Sequence, residues 1–193
     1  MICPRNKWRS WSIVASALAL ASAAARADQN DPQLPALFAQ LKAAPDQSSA
    51  LQIQDEIWKL WYTYKDRRIQ NLLVEASEAM EEGDESHALE LAGRVIDEAP
   101  QFAEAWNLRA TLYYNMGSYL ASLQDIEQTL KLEPRHFGAL AGRGLCYLAL
   151  DEEDKALAAF EAALKLHPWM PSARMNADRL RHSRRVHLPQ RAI

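Results

Sequence analysis

Cysteine and glycine are scarce in this chain of 193 residues, which has two cysteines and six glycines. Cys146 is the only cysteine beyond residue 3, so the body of the chain has no second thiol for an internal disulfide. The fold must therefore be stable from packing alone. Cys146 has apolar neighbours and no histidine close by in sequence, so we predict a buried structural cysteine rather than a nucleophile.

Apolar runs long enough to span a membrane are also missing. Residues 11–25 are uncharged, but they are fewer than the roughly 20 residues that a transmembrane helix needs. Basic residues precede this run, and Ala25-Arg26-Ala27 follows it with small residues at the −3 and −1 positions of a signal-peptidase site. We therefore predict that residues 1–27 are a cleaved signal peptide and that the protein is periplasmic. A retained membrane anchor is the alternative.

Positive charge is sparse outside this leader. Four of the 22 Lys and Arg residues and none of the 25 acidic residues fall within 1–27, which leaves a net charge of −7. That balance does not favour nucleic-acid binding. The acidic run 151–154 precedes an expected helix, where carboxylates favour the helix dipole, and we do not interpret it as a cation site.

Patterns that carry chemistry are absent from the sequence as well. It has no phosphate-binding glycine loop, no metal-ligand spacing and no arrangement of Ser, His and acid typical of hydrolases. We therefore predict no catalytic residue, no metal, no cofactor and no small-molecule substrate. The chain is not expected to be an enzyme.

A period of 34 residues organises what is present. It is visible in three columns: Pro100, Pro134, Pro168; Gly83, Gly117, Asp151; and Ala88, Ser122, Ala156. Apolar residues between these markers recur every three or four positions, as in amphipathic helices. Glycine ends one helix, and proline follows the next because it cannot continue the hydrogen-bond ladder. The pattern predicts repeated pairs of helices.

The repeats resemble the tetratricopeptide (TPR) family. Residues 103–134 match its large, small, aromatic, turn and proline positions through Trp106, Ala110, Tyr113, Gly117, Ile126, Leu130 and Pro134. Residues 137–168 match through Leu140, Gly144, Tyr147, Ala156, Phe160, Ala163 and Pro168, and residues 69–100 more weakly through Leu72, Ala76, Gly83, Ala88 and Pro100. The resemblance implies an all-α, right-handed superhelical stack of helix-turn-helix repeats at 69–102, 103–136 and 137–170. Small residues such as Gly144 would let paired helices approach closely.

Helices at both ends are expected to cap this stack. Residues 28–68 form N-terminal helices, a degenerate repeat or cap, with a short helix at 35–43 and an amphipathic, aromatic-rich helix at 48–65. A single helix through 48–82 is the alternative. The aromatic face is interpreted as packing on the first repeat, or else as a dimer or partner surface.

The C-terminal end, residues 171–193, should form a capping helix and a basic tail. Six arginines stand against one acid from residue 174 onward. This charge offsets the acidic body, or else contacts an anionic membrane or an acidic protein. Within the repeats, Arg109 and Arg143 occupy a position that is often leucine in the family. We predict an ion pair with Asp125, the alternative being a cation that points into the groove.

The resemblance also implies a groove lined by the first helix of each pair. The positions that face it are occupied by Leu73, Ser77, Met80, Asn107, Thr111, Tyr114, Asn115, Ala141, Leu145 and Leu148. TPR domains that clamp a chaperone's C-terminal carboxylate have Lys and Asn where this chain has Leu73 and Ser77, so a clamp is not expected. We predict a non-catalytic adaptor that binds a protein or peptide segment. A regulatory or assembly subunit of an exported or envelope-bound enzyme complex is the alternative.

Overall fold

A computed structural model describes residues 28–187 of the chain, without the side chains of residues 186 and 187. The predicted signal peptide and the last six residues of the basic tail lie outside this range. The described residues form nine α-helices and no strand: α1 (Leu34–Ala43), α2 (Gln47–Trp61), α3 (Arg67–Glu81), α4 (Glu85–Glu98), α5 (Ala103–Asn115), α6 (Tyr119–Leu132), α7 (Phe137–Ala149), α8 (Glu153–Leu166) and α9 (Pro171–His187). None of these helices is long and apolar enough to cross a membrane.

Helices α3 to α8 form three successive pairs, each packed on the next. Pro100, Pro134 and Pro168 all lie between helices, as the 34-residue period predicts. The turn inside each pair needs a left-handed backbone, which Gly83 and Gly117 adopt with φ of 80° and 74°. Asp151 adopts the same conformation with φ of 59°, which aspartate tolerates better than most residues. The predicted all-α repeat stack is confirmed.

Close approach within the pairs depends on small side chains. Gly144 faces the ring of Phe160 so closely that an added Cβ would lie 2.6 Å from a ring carbon. In the preceding pair, the Ser122 hydroxyl donates to the Ala110 carbonyl at 2.7 Å. Cys146 is buried beside that serine, with Sγ 3.2 Å from its Oγ. Burial raises the pKa of the thiol, as expected for a structural cysteine.

The predicted ion pair forms for one arginine of the two. Arg109 makes a bidentate pair with Asp125 on α6, with N–O distances of 2.7 and 2.9 Å. Arg143 has the same register but makes no ion pair among the described residues, because the position equivalent to Asp125 is Ala159. The expectation that Asp125 serves both arginines was therefore wrong for Arg143.

The N-terminal helices depart from the repeat geometry. Helix α2 ends at Trp61 and helix α3 begins at Arg67, so residues 48–82 form two helices. Helices α1 and α2 pack on each other, and we call residues 34–61 the arm. The arm does not stack on α3 as each repeat helix stacks on the next.

The aromatic side chains of α2 divide between two repeats. Trp58 and Trp61 contact His136 and Phe137 at the start of α7, in the third repeat. Tyr62, just after α2, packs on the core of the first repeat instead. The expectation that the aromatic face packs on the first repeat was therefore wrong for the tryptophans, because the rings of Trp58 and Trp61 lie against Phe137, with centroids 5.6 and 5.0 Å away.

The C-terminal helix α9 packs on α8 at the end of the stack. Ala173, Ala177 and Leu180 are buried against the last pair. Arg181 pairs with Glu161 of α8 at 2.9 Å, and Arg184 lies 3.6 Å from Asp154. The positive charge of these arginines offsets the negative charge of acidic side chains on the repeats.

Candidate partner-binding groove

The first helices of the three pairs, α3, α5 and α7, lie side by side and form one face of the stack. A cavity of about 220 Å³ opens between α5 and α7 on this face. Five of the predicted groove residues line it: Asn107, Thr111, Tyr114, Ala141 and Leu145. The cavity exists because the first half of α7 has mostly small residues, including Gly138 and Gly142, so few side chains fill the space beside α5.

The cavity has mainly apolar walls and a polar edge. Ala110 and Ile126 form part of its wall. At the edge, the amide of Asn107 donates to the Glu104 carboxylate at 2.9 Å, and the Thr111 hydroxyl donates to the Asn107 carbonyl at 3.0 Å. No charged side chain of the described residues lines the cavity. This lining suits an apolar side chain, with Asn107 beside it to bond a peptide backbone.

The cavity is smaller than typical pockets for cofactors and drug-sized ligands, which start at about 300 Å³. Within residues 28–187, no group of three or more His, Cys, Asp or Glu side chains is placed to hold a metal ion. The cavity therefore offers room for one large anchoring side chain.

The other predicted groove residues lie elsewhere. Leu73 is fully buried in the core between α3 and α4, which corrects its assignment to the open groove. Met80 packs against the same core, and Leu148 packs against the core between α8 and α9. Both are partly buried because their helix faces turn toward neighbouring helices. Asn115 is exposed at the end of α5 but does not line the cavity.

Ser77 also differs from its expected role, because the chain itself covers it. The hydroxyl of Tyr62 lies close to the side chains of Ser77 and Glu104. Burial, and then the negative charge of Glu104, raise the pKa of Tyr62 well above its ordinary value. Tyr62 therefore stays neutral and occupies part of the predicted groove.

Trp58 covers a second part of the groove. A Cβ added to Gly138 would lie 2.9 Å from the Trp58 ring, so the ring fits against bare backbone at this position. Gly138 also lines the cavity, which places the cavity directly beside Trp58. The arm therefore fills the end of the groove near the start of α5 and α7 and leaves the cavity open.

A buried polar pair supports this contact from below. Nδ1 of His136 accepts the amide of Ala139 at 3.0 Å, so Nε2 carries the proton that is shared with Glu104, also at 3.0 Å. The Trp61 ring stacks on this imidazole at 4.2 Å. Since His136 and Glu104 are fully buried and bonded to each other, they form a flat, rigid surface for the aromatic rings of α2.

The sequence did not reveal the inner lining of the cavity. Ala110, Ser122, Ile126, Ala139 and Gly142 contribute to it without facing the groove in the repeat register. The only available signal was the run of small residues between Gly138 and Gly144. Occupation of the groove by the arm had no signal in the repeat pattern.

Comparison with known proteins agrees with this architecture. A sequence model of the family "Tetratricopeptide repeat" matches residues 107–171. A TPR repeat-containing protein of Rhizobium etli is 38% identical over 136 residues, which cover 70% of this chain and 67% of the relative.

Solved structures show the same fold at lower identity. The first TPR domain of Spaghetti (RPAP3), bound to the HSP90 peptide SRMEEVD, has a TM-score of 0.59 at 18% identity, covering 61% of this chain and 93% of that one. The crystal structure of MamA has a TM-score of 0.58 at 17% identity, covering 77% and 85%. The relative, the matching repeats and the fold together show that this chain belongs to the tetratricopeptide repeat family.

Proposed function

We propose that this protein is a non-catalytic adaptor of the bacterial periplasm that holds a segment of a partner protein in the cavity between α5 and α7. The observation that carries the proposal is an open, apolar, uncharged cavity on the face formed by the first helices of the repeats. TPR domains of similar fold are seen with peptides bound, including peptides of HSP90 and HSP70. Tyr114 and Leu145 would contact an apolar side chain, and Asn107 would bond the backbone of the segment.

The segment is expected to differ from the acidic chaperone peptide in the Spaghetti complex. Among residues 28–187 no lysine or arginine lines the cavity, so a terminal carboxylate would find no cation of this part of the chain there. The Glu104 carboxylate, which accepts from the Asn107 amide, is buried behind this lining and is not presented to a partner. An apolar anchor with neutral flanking residues fits this lining best.

Substitution of Leu145 by lysine tests the groove. The charge would enter an apolar cavity, and we expect capture of the partner from the exported fraction to fall at least about tenfold, since each factor of ten corresponds to only about 1.4 kcal/mol of binding. Leu120→Lys is the matched control, because Leu120 is 68% exposed on α6 and outside the cavity. Equal recovery of partner by both variants, with unchanged helical circular dichroism, would refute the assignment.

The periplasmic location rests on the predicted signal peptide and has its own test. We expect the protein to be recovered in the periplasmic fraction with Asp28 as its first residue, as read by intact mass. Asp28 begins a turn that leads directly into α1, with its carbonyl accepting from the Asp31 amide at 3.0 Å. Recovery of the full-length chain in the cytoplasm would refute this part of the proposal.

A further inference from the structure

Aromatic side chains at the end of α2 fit closely into the groove. Trp58 fits against Gly138, Trp61 stacks on His136, and Tyr62 packs on the core of the first repeat. These three rings follow the i, i+3, i+4 spacing of one helix face, which is how amphipathic helices present anchors to a groove. The repeats therefore already bind one amphipathic helix, which happens to be part of the same chain.

The same interface leaves two buried polar atoms without a partner among the described residues. They are Nε1 of Trp61 and Nδ1 of His167, and both side chains are more than nine-tenths buried. A buried donor or acceptor without a hydrogen bond loses its hydration and gains nothing in return. On its other nitrogen, His167 bonds to Gln54 of α2 at 2.8 Å, so both unpartnered atoms lie where the arm meets the repeats.

The arm is also attached differently from every other element of the stack. It joins α3 through the non-helical residues 62–66 and does not stack on α3. Its core, built from Leu34, Leu37, Leu41 and Ile57, forms one cluster with Phe137, and Leu166, Trp169 and Met170 also pack against it. The three other core clusters of the described residues contain no residue of the arm, so they can persist when the arm leaves.

We propose that the arm is a resident ligand of the groove, and that the partner is an amphipathic helix with the same aromatic spacing that displaces it. This inference rests on the proposed adaptor function and names the partner's chemistry. The partner helix places one large ring against Gly138 and a second ring on His136, and its remaining residues reach the adjacent cavity. Displacement limits binding to partners that compete with α2.

A peptide spanning residues 46–66, labelled with fluorescein, serves as the probe in anisotropy titrations with the full chain. In the wild-type protein the linked α2 competes with the peptide. Trp58→Ala removes the half-buried ring from the arm and leaves the repeat side intact, so this variant should bind the peptide at least about tenfold more tightly than the wild type. Adding Gly138→Leu to that variant fills the position of the ring and should abolish binding. A peptide with both tryptophans replaced by alanine is the control.

Equal affinity of the wild type and Trp58→Ala for the peptide would overturn the proposal, as would the absence of binding to Trp58→Ala. Hydrogen exchange of the wild-type chain gives a second test that needs no variant. We expect amides of α2 to exchange through a local opening that leaves α5 and α7 protected. Exchange of all three helices through one common opening would also overturn the proposal.

Leu145→Lys separates this proposal from the function on which it rests. That substitution lies in the cavity, seven residues along α7 from Gly138, which is the residue that Trp58 contacts. It should leave binding of the peptide by Trp58→Ala unchanged while it weakens partner capture. Loss of partner capture with intact peptide binding supports both proposals, whereas intact capture refutes the cavity without affecting the displacement test.

Discussion

Close packing of α7 on α8 can be measured by making the same substitution at two glycines. Gly144→Ala places a methyl group 2.6 to 2.8 Å from three ring carbons of Phe160, closer than any real contact, and the ring is only 1% exposed and cannot swing into solvent. Such overpacking costs about 1–3 kcal/mol. Gly93→Ala is the matched control, because Gly93 lies within α4 and an added Cβ there meets nothing within 4 Å.

Both substitutions gain about 1 kcal/mol of helix propensity, so this gain cancels in the comparison. Gly93→Ala should stabilise the protein by up to about 1 kcal/mol, and it should exceed Gly144→Ala in stability by about 1–3 kcal/mol. The assay is urea unfolding followed by circular dichroism, with similar m-values required for the comparison. In a Phe160→Leu background the cost of Gly144→Ala should shrink. Equal stability of the two glycine variants would refute the tight contact.

Two further predictions concern buried charge. Arg109→Met leaves the Asp125 carboxylate buried without its partner and should lower the free energy of unfolding by roughly 3 kcal/mol. Arg143→Met at the same register position breaks no ion pair of the described residues and should lower it by less than about 1 kcal/mol. Urea unfolding of both variants measures the difference, and similar losses of stability would contradict the assigned pairing. Burial lowers the pKa of His167 to about 4, below about 6.5 in the unfolded chain, so the unfolded state binds the proton first and stability falls as the pH drops from about 6.5 toward 4. The total loss in the free energy of unfolding is roughly 3 kcal/mol, of which about 1 kcal/mol falls between pH 7 and 5.5. His167→Gln should reduce the dependence of stability on pH in unfolding experiments across that range. An unchanged pH dependence would contradict the burial of this ring.

The sequence by itself determined the local features of the stack. A helix is recognised by the period of its apolar residues, and each break by a residue that cannot continue the hydrogen-bond ladder. Pro100, Pro134 and Pro168 therefore fall between helices, and Gly83 and Gly117 take the left-handed turns. These signals lie within a few residues of the structure they specify. For the same reason five of the groove residues that the register predicts lie along the cavity wall, and their role in binding stays a prediction.

The tertiary structure alone decided where the arm lies and what it covers. Trp58 and Trp61 contact residues more than 70 positions away, and no period relates a ring in α2 to Gly138 or His136. The choice depends on which apolar surface offers the best packing once all helices have formed, a sum over contacts distant in sequence. Local periodicity shows which face of a helix is apolar, but only the assembled stack determines which partner that face meets.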